Sequence, residues 1–420
     1  MQSSEPPLSR ADSSVNTEVT KNTSAQPSNG ITEDPTEIAS IDADLPPDAK
    51  NATNTSTLSN IDGSSNIAGA DSDKTPGPSD TPQKKYVSGD DLYRRSSQYQ
   101  TWSFSSKELH EQKKHANEKG RNAALKLFDT ARSAMMTEKP DIFTAHGNQL
   151  TSDILELISF EEEQKYLQFF GSQIVQICSH FKMPTQVKAT AISFFRRFYL
   201  VNSVMEYRPR NILYTAVFLA AKSENYFISI ETFCSRIPKT KPEDILGLEF
   251  IILSSLKFTL LVHHAFRPLY GFFLDFQSLL LHPSPVMYDV NVDTIGQLYD
   301  KAKRWLNDHA LLSDAPFLFT PPQIALAALY DSDKRITDRY LRLKFLKETS
   351  ENNEASQTPV QPEKEHFDLI VKTIRRCIKI TKEETHTSRE ESTKIDEKCF
   401  FALNPQKLLK RRAKALQGDS

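Results

Sequence analysis

The 420-residue sequence has little cysteine, no secretory signal and no long apolar run. Its four cysteines are scattered and form no Cys-x-x-Cys pair, which argues against a disulfide framework or a zinc site and favours a reducing compartment. The N-terminus lacks the basic and apolar regions of a secretory signal, and no uncharged apolar run could span a bilayer. We therefore expect a soluble intracellular protein with no membrane association, no metal site and no cofactor. The cysteines are Cys178, Cys234, Cys377 and Cys399.

Motifs that carry catalysis are also missing. The sequence contains no Gly-rich phosphate loop, no His-Arg-Asp loop and no Asp-Phe-Gly motif, so it does not encode a kinase. His263 and His264 are adjacent, which is not the spacing of a pair of metal ligands. We expect no catalytic residues, and thus a protein that is not an enzyme by itself.

The first 80 residues lack aromatic side chains and are rich in Ser, Thr, Asn, Asp and Pro. Such a composition cannot bury enough apolar surface to offset the entropy of ordering, which predicts a disordered acidic tail over residues 1–85. Residues 1–80 carry 4 basic and 13 acidic side chains, whereas the remainder carries 48 and 41. This mild positive charge does not indicate sequence-specific binding of nucleic acid.

Helical patterns follow one another through the rest of the chain, and no segment has the period of a strand. A highly charged helix is predicted to start after Ser105 and to end near Gly120, followed by a further helical piece and a loop up to residue 150. Other helices start at Pro209 and Pro242, where a missing N–H is harmless. Capping boxes mark three helix starts, at Ser105–Glu108, Ser159–Glu162 and Thr320–Gln323.

Two sets of helices look like copies of one unit. The pattern Pro209-x-x-Ile212-x-x-x-Ala216 recurs 112 residues later as Pro-x-x-Ile-x-x-x-Ala, from Pro321 to Ala328. A small-residue helix ringed by larger ones makes a self-contained core, so a duplication predicts two packed all-α lobes. The predicted segments are 1–85 (tail), 86–158 (N-terminal helix and insert), 159–262 (first lobe), 263–380 (second lobe, with a polar insert at 348–364) and 381–420 (C-terminal helix and basic tail).

Several of these segments resemble the cyclins, and specifically the cyclin H branch in its fungal form. The resemblance covers roughly residues 88–380, and it implies two tandem five-helix cyclin folds with extra N- and C-terminal helices. The segments that carry it are 194–209 (FFRRFYLVNSVMEYRP), 218–224 (FLAAKSE), 267–275 (RPLYGFFLD), 96–104 (SSQYQTWSF) and 320–326 (TPPQIAL).

The resemblance implies a regulatory subunit that activates a cyclin-dependent kinase. Lys222 and Glu249 match the Lys and Glu with which cyclins hold the kinase. The implied partners are the kinase catalytic subunit, a RING-finger assembly subunit of the transcription factor IIH (TFIIH) kinase module and core TFIIH, in the nucleus. The implied outcome is phosphorylation of the RNA polymerase II C-terminal domain, and of other cyclin-dependent kinases in some lineages. Without the resemblance, a Lys at a helix end would merely complement the helix dipole.

The sequence departs from the cyclin pattern next to Lys222, because it reads Lys-Ser-Glu-Asn225 where classical cyclins have Lys-x-Glu-Glu. We interpret Arg196 and Arg197 as a solvated or kinase-facing stripe beside core aromatics, and Trp102 and Phe104 as anchors that pin the N-terminal helix onto the first repeat. A basic run near the C-terminus is interpreted as a solvated helix end, as a nuclear import signal or as an electrostatic contact. Its residues are Lys407, Lys410, Arg411, Arg412 and Lys414.

Two alternative functions remain open at this point. One is a cyclin C-, T- or K-like partner of a different transcriptional kinase. The other is a DNA-bound scaffold with cyclin repeats, like transcription factor IIB, which would require an N-terminal zinc ribbon and a strongly basic second repeat. The scattered cysteines and the modest charge argue against the second alternative.

Overall fold

The computed structural model describes residues 89–282, 290–346, 361–383 and 387–418. Within these ranges every regular element is a helix and no strand occurs. The structure thus confirms the all-α fold class for the part of the chain that it describes. The predicted disordered tail (1–85) and residues 348–360 of the predicted polar insert lie outside the described residues.

A long helix dominates the N-terminal segment, and the predicted capping box caps its N-terminus. The Glu108 N–H donates to Ser105 Oγ (3.3 Å), and the Ser105 N–H donates to Glu108 Oε2 (2.8 Å). The prediction that this helix ends near Gly120 was wrong, because the helix continues to Glu138. Gly120 lies inside the helix at a point of close packing, where a Cβ would lie 2.1 Å from Ser203 Cβ. The helices are α1 (Gly89–Arg94), α2 (Ser97–Trp102), α3 (Ser106–Glu138) and α4 (Pro140–His146).

Five helices then form the first repeat around an alanine-rich centre. In α7 the side chains of Ala216, Ala220 and Ala221 are fully buried, which allows the surrounding helices to approach its backbone closely. The predicted core aromatics of α6 are also buried. The helices are α5 (Phe160–His180), α6 (Thr185–Phe198), α7 (Pro209–Ser223), α8 (Ile230–Ser235) and α9 (Pro242–Ser255).

The second repeat has the same plan, with α13 at its centre. Ile324 and Ala328 of the repeated motif are buried there, as Ile212 and Ala216 are in α7. A π-helical turn, Leu306–Ala310, extends the second helix of this set. The helices are α10 (Phe266–Leu280), α11 (Val292–Trp305), α12 (Ala315–Leu318), α13 (Pro321–Ser332), α14 (Lys334–Phe345) and α15 (Gln361–Lys382).

Two C-terminal helices, α16 (Arg389–Leu403) and α17 (Pro405–Gly418), return to the first half of the chain. Cys399 of α16 and Leu409 of α17 are completely buried in the same core as the first repeat. Asp396 fastens α16 there, because it accepts hydrogen bonds from Tyr166 Oη (2.5 Å) and from Arg208 Nη2 (2.5 Å). The basic run therefore belongs to a packed helix rather than to the predicted tail.

The N-terminal segment contacts both repeats. The indole Nε1 of Trp102 donates to Thr259 Oγ1 (2.8 Å) at the end of the first repeat, as expected of an anchor. In addition, the Phe104 N–H donates to the carbonyl of Phe317 (2.9 Å) in the second repeat. This short stretch thus ties the two lobes together.

Arg196 and Arg197 do not form the predicted solvated or kinase-facing stripe. Arg196 forms an ion pair with Asp314 and lies over the ring of Phe317 (5.3 Å from the guanidinium carbon to the ring centroid). Arg197 is only 3% exposed. The prediction was wrong because the outward face of α6 is covered by α2 and by the segment around α12, which lie far away in sequence.

Candidate functional site

Lys222 reaches the surface because α7 ends immediately after it. Asn225 adopts a left-handed conformation (φ 56°), and the Tyr226 N–H donates back to the carbonyl of Ala221 (2.8 Å). This is the hydrogen bond of a Schellman motif, in which Asn is a common substitute for glycine. The departure at Asn225 therefore has a structural explanation, since this residue terminates the helix.

Lys222 and Glu249 are brought together in an ion pair between α7 and α9. Lys222 Nζ also lies 5.2 Å from the centroid of the Phe218 ring, which is buried beneath it. The Lys222 side chain is 45% exposed and the Glu249 side chain 17%. A half-exposed pair of this kind stabilises a fold by at most about 1 kcal/mol. Its geometry instead holds one positive and one negative group in a fixed arrangement at the surface.

Exposed apolar side chains share helix α9 and its C-terminal end with this ion pair. Phe250 is 68% exposed and Phe258 is 62% exposed, and their ring centroids are 6.0 Å apart in an edge-to-face arrangement. Leu246, one turn before Phe250, is also exposed. Aromatic side chains next to fixed charges are typical of the energetic centres of protein interfaces.

Two consecutive residues after α9 have left-handed backbone conformations, Lys257 (φ 53°) and Phe258 (φ 56°). Non-glycine residues adopt this conformation at an energetic cost, and such strain is concentrated at functional sites. Here the bend directs the Phe258 ring against Phe250. Neither aromatic was predicted from the sequence. The one available signal concerned Phe250: between Ile245 and Leu253, α9 carries no polar side chain other than Glu249, which is typical of a helix covered on both faces.

Glu224, next to the ion pair in sequence, has a different task. Its Oε1 accepts a hydrogen bond from Thr190 Oγ1 (2.6 Å), and Thr190 Oγ1 lies 2.7 Å from Nε2 of His264. Burial lowers the pKa of His264 to about 3, so its imidazole is neutral at physiological pH. Because Thr190 uses its only hydroxyl hydrogen to bond Glu224, the hydrogen bond with His264 requires the tautomer that donates from Nε2. This chain of hydrogen bonds links α6 and α7 of the first repeat to the start of the second.

The five residues of the candidate import signal are all exposed on α17, whereas Leu409 and Ala413 on the other side of this helix are buried. Arg411 Nη1 contacts Glu397 Oε1 (3.1 Å), and Lys407 Nζ lies 4.9 Å from the centroid of the Phe400 ring. The basic side chains therefore project from a rigid element.

Metal and thiol chemistry find no support in the described part of the chain. There, no three or more His, Cys, Asp or Glu side chains converge on a position that could hold a metal ion. Burial raises the pKa of the Cys178, Cys377 and Cys399 thiols to about 12, which keeps them protonated and poorly nucleophilic. Among the described helices, none combines the length and the apolar character needed to cross a bilayer.

Comparison with known proteins identifies the family. Two family models match, the Cyclin, N-terminal domain over residues 151–261 and the Cyclin C-terminal domain over residues 264–382. The chain is also 35% identical to Cyclin CCL1 of Saccharomyces cerevisiae over 399 residues, which covers 87% of this chain and 94% of that protein. The chain belongs to the cyclin family. Proteins named cyclin-H from Dictyostelium discoideum (as a putative cyclin-H) and Xenopus laevis match as well, which confirms the predicted resemblance.

Two solved structures of similar chains confirm the cyclin fold. One is a chain of the yeast TFIIK (Kin28/Ccl1/Tfb3) complex, with 35% identity, a TM-score of 0.50 and coverage of 69% of this cyclin and 100% of that chain. The other is a chain of the CAK complex of Chaetomium thermophilum bound to ATP-gamma-S, with 29% identity, a TM-score of 0.57 and coverage of 79% and 96%.

Proposed function

We propose that this cyclin is a regulatory subunit that binds and activates a cyclin-dependent kinase of the TFIIH kinase module. The observation that carries the proposal is the ion pair of Lys222 and Glu249, set beside the exposed rings of Phe250 and Phe258 on the first repeat. The similarity to chains of the TFIIK and CAK complexes supports the same function.

The proposed mechanism is allosteric. The first repeat docks against the mobile αC helix of the kinase, whose Glu then reaches the strand Lys that contacts the ATP phosphates. The fixed charges of Lys222 and Glu249 bind complementary groups of the kinase, and the aromatic side chains of α9 and its end exclude water from the contact. The cyclin contributes no catalytic group and is not an enzyme by itself.

The energetic value of the ion pair changes when a partner covers it. In the free cyclin Lys222 is half-exposed, so screening keeps its contribution small. In a desolvated interface, truncating one member of such a pair costs about 2–5 kcal/mol of binding free energy. This corresponds to a kinase affinity that is lower by a factor of roughly 30 or more.

Charge reversal tests the proposal. Lys222→Glu and Glu249→Lys should each weaken co-purification with the kinase subunit and lower phosphorylation of a polymerase heptad peptide. The double variant is decisive, because it restores the internal ion pair with the charges exchanged. If the pair serves docking, the double variant stays defective; if the pair only stabilises the cyclin, the double variant recovers.

A matched control is the exposed pair of Lys379 Nζ and Glu383 Oε1 (3.5 Å) at the end of α15. Reversing both charges there should leave kinase stimulation unchanged. Thermal unfolding of every variant verifies that the fold is retained. Full stimulation of the kinase by both single variants at the Lys222 site would refute the proposed contact.

The proposal also includes further subunits of the assembly and its location in the cell. A RING-finger subunit, matching the third component of TFIIK, would complete the kinase module, which would in turn bind core TFIIH. The site of action would be the nucleus, with the exposed basic side chains of α17 as the import signal. Expression with a panel of transcriptional kinases distinguishes this assignment from a cyclin C-, T- or K-like role, because only the cognate kinase should be stimulated.

A further inference from the structure

A small, partly enclosed cavity of about 40 Å³ lies where the N-terminal segment, α6 and the second repeat meet. Its walls include Gln98 of α2, Ser193 and Arg197 of α6, and Phe319 before α13. Since a volume of about 10–15 Å³ by this measure admits one water molecule, the cavity has room for a small ion with some water.

The cavity wall contains a buried guanidinium that lacks an acidic partner. Arg197 is 3% exposed, and its Nη1 finds no hydrogen-bond acceptor among the described residues. The guanidinium carbon lies 5.3 Å from the centroid of the Trp102 ring, which offsets part of the cost of burying the charge. Burial lowers the pKa of Arg197 to about 10, so it still carries its charge at neutral pH. A buried charge without a counter-charge costs several kcal/mol.

The other ionisable groups in the wall do not supply that counter-charge. Arg196 is positive and is already paired with Asp314, outside the cavity wall. Burial lowers the pKa of both His263 and His264, which keeps these imidazoles neutral at physiological pH. No Asp or Glu side chain is among the described residues that line the cavity. The site is therefore positively charged, partly enclosed and polar on one side.

We propose that this cavity binds a small inorganic anion of the chloride class, held by Arg197 and neighbouring Ser193. The anion neutralises the buried guanidinium and links three parts of the chain: the N-terminal segment, the first repeat and the start of the second repeat. Its role is to fix the angle between the two repeats. It binds apart from the Lys222–Glu249 pair, so the inference is independent of the proposed function.

The stability of the full-length cyclin tests this proposal. Thermal unfolding is measured in chloride, in bromide and in gluconate at equal ionic strength, because gluconate is too large for the cavity. At halide concentrations above the dissociation constant of the halide, each tenfold increase in halide concentration should raise the unfolding temperature by about 2–3 °C relative to gluconate. Arg197→Met should abolish this difference. The control variant Arg267→Met, which removes an exposed nearby charge, should retain it.

A second measurement remains decisive if Arg197→Met fails to fold. Crystals of the wild-type cyclin grown in sodium bromide should give an anomalous peak in the cavity, within hydrogen-bond distance of the Arg197 guanidinium. Equal unfolding temperatures in halide and gluconate, together with no anomalous peak at this position, would overturn the proposal. Water alone would then fill the cavity.

Discussion

The close approach of α3 to the first repeat at Gly120 predicts an unusual response to Gly120→Ala. Replacing a glycine by alanine inside a helix normally stabilises it by about 1 kcal/mol. Here the added methyl carbon would lie 2.1 Å from Ser203 Cβ, far inside van der Waals contact. Ser203 cannot yield freely, because its hydroxyl donates to Glu163 Oε1 (2.7 Å) in the buried core.

The expected magnitude follows from these contacts. Overpacking costs about 1–3 kcal/mol, and the loss of one buried hydrogen bond adds about 1 kcal/mol. After subtraction of the gain in helix propensity, Gly120→Ala should lower the unfolding free energy by about 1–3 kcal/mol in urea denaturation. The matched control is Gly271→Ala in α10, where a Cβ would meet no atom within 4 Å and the change should be stabilising. Similar stabilisation by both substitutions would refute the close packing at Gly120.

Three further predictions concern the C-terminal helices and the junction between the repeats. Asp396→Asn should lower the unfolding free energy by about 1–3 kcal/mol in urea, because it weakens charge-assisted bonds to Tyr166 and Arg208, whereas Glu397→Gln beside it should have little effect. His264 has a pKa of about 3 in the folded protein and about 6.5 in the unfolded chain, so the unfolded state binds more protons between these two pH values. The free energy of unfolding should therefore fall as the pH drops from 7 towards 4, and in urea titrations a His264→Gln variant should show a shallower dependence of this free energy on pH. Replacing three exposed basic residues of α17 by alanine should shift a fluorescent fusion towards the cytoplasm without unfolding it, and unchanged nuclear accumulation would exclude these residues as the import signal. They are Lys410, Arg411 and Arg412.

The features that could be predicted from the sequence depend on neighbours along the chain. The capping boxes at Ser105 and Ser159 formed as predicted, since both partners lie within three residues of each other. The buried alanines of α7 and α13 were also predictable, because small residues and an initial proline recur in both repeats. Lys222 and Glu249 were found by resemblance, and their ion pair required the structure.

The features that were missed depend on contacts between distant residues. In the sequence, Gly120 indicates a helix end, and only the structure shows that it packs against Ser203. Likewise, Arg197 was predicted to be a surface residue, but α2 and the segment around α12 cover this face of α6. The apolar pattern of α9 indicated a helix covered on both faces, but it did not show that Phe250 is exposed in the free chain, because a core helix has the same pattern. Each of these errors arises from packing between segments, which helical periodicity along one segment does not encode.

The return of α16 and α17 to the first repeat has a consequence for how this cyclin is made. The core of the first repeat is completed by Cys399 and Leu409, which are synthesised 143 and 153 residues after Leu256, the last buried core residue of that repeat. Until then its apolar surface stays open while the second repeat is being synthesised. A fragment that stops after the second repeat would leave this apolar surface uncovered, and it would be prone to aggregate despite containing both repeats.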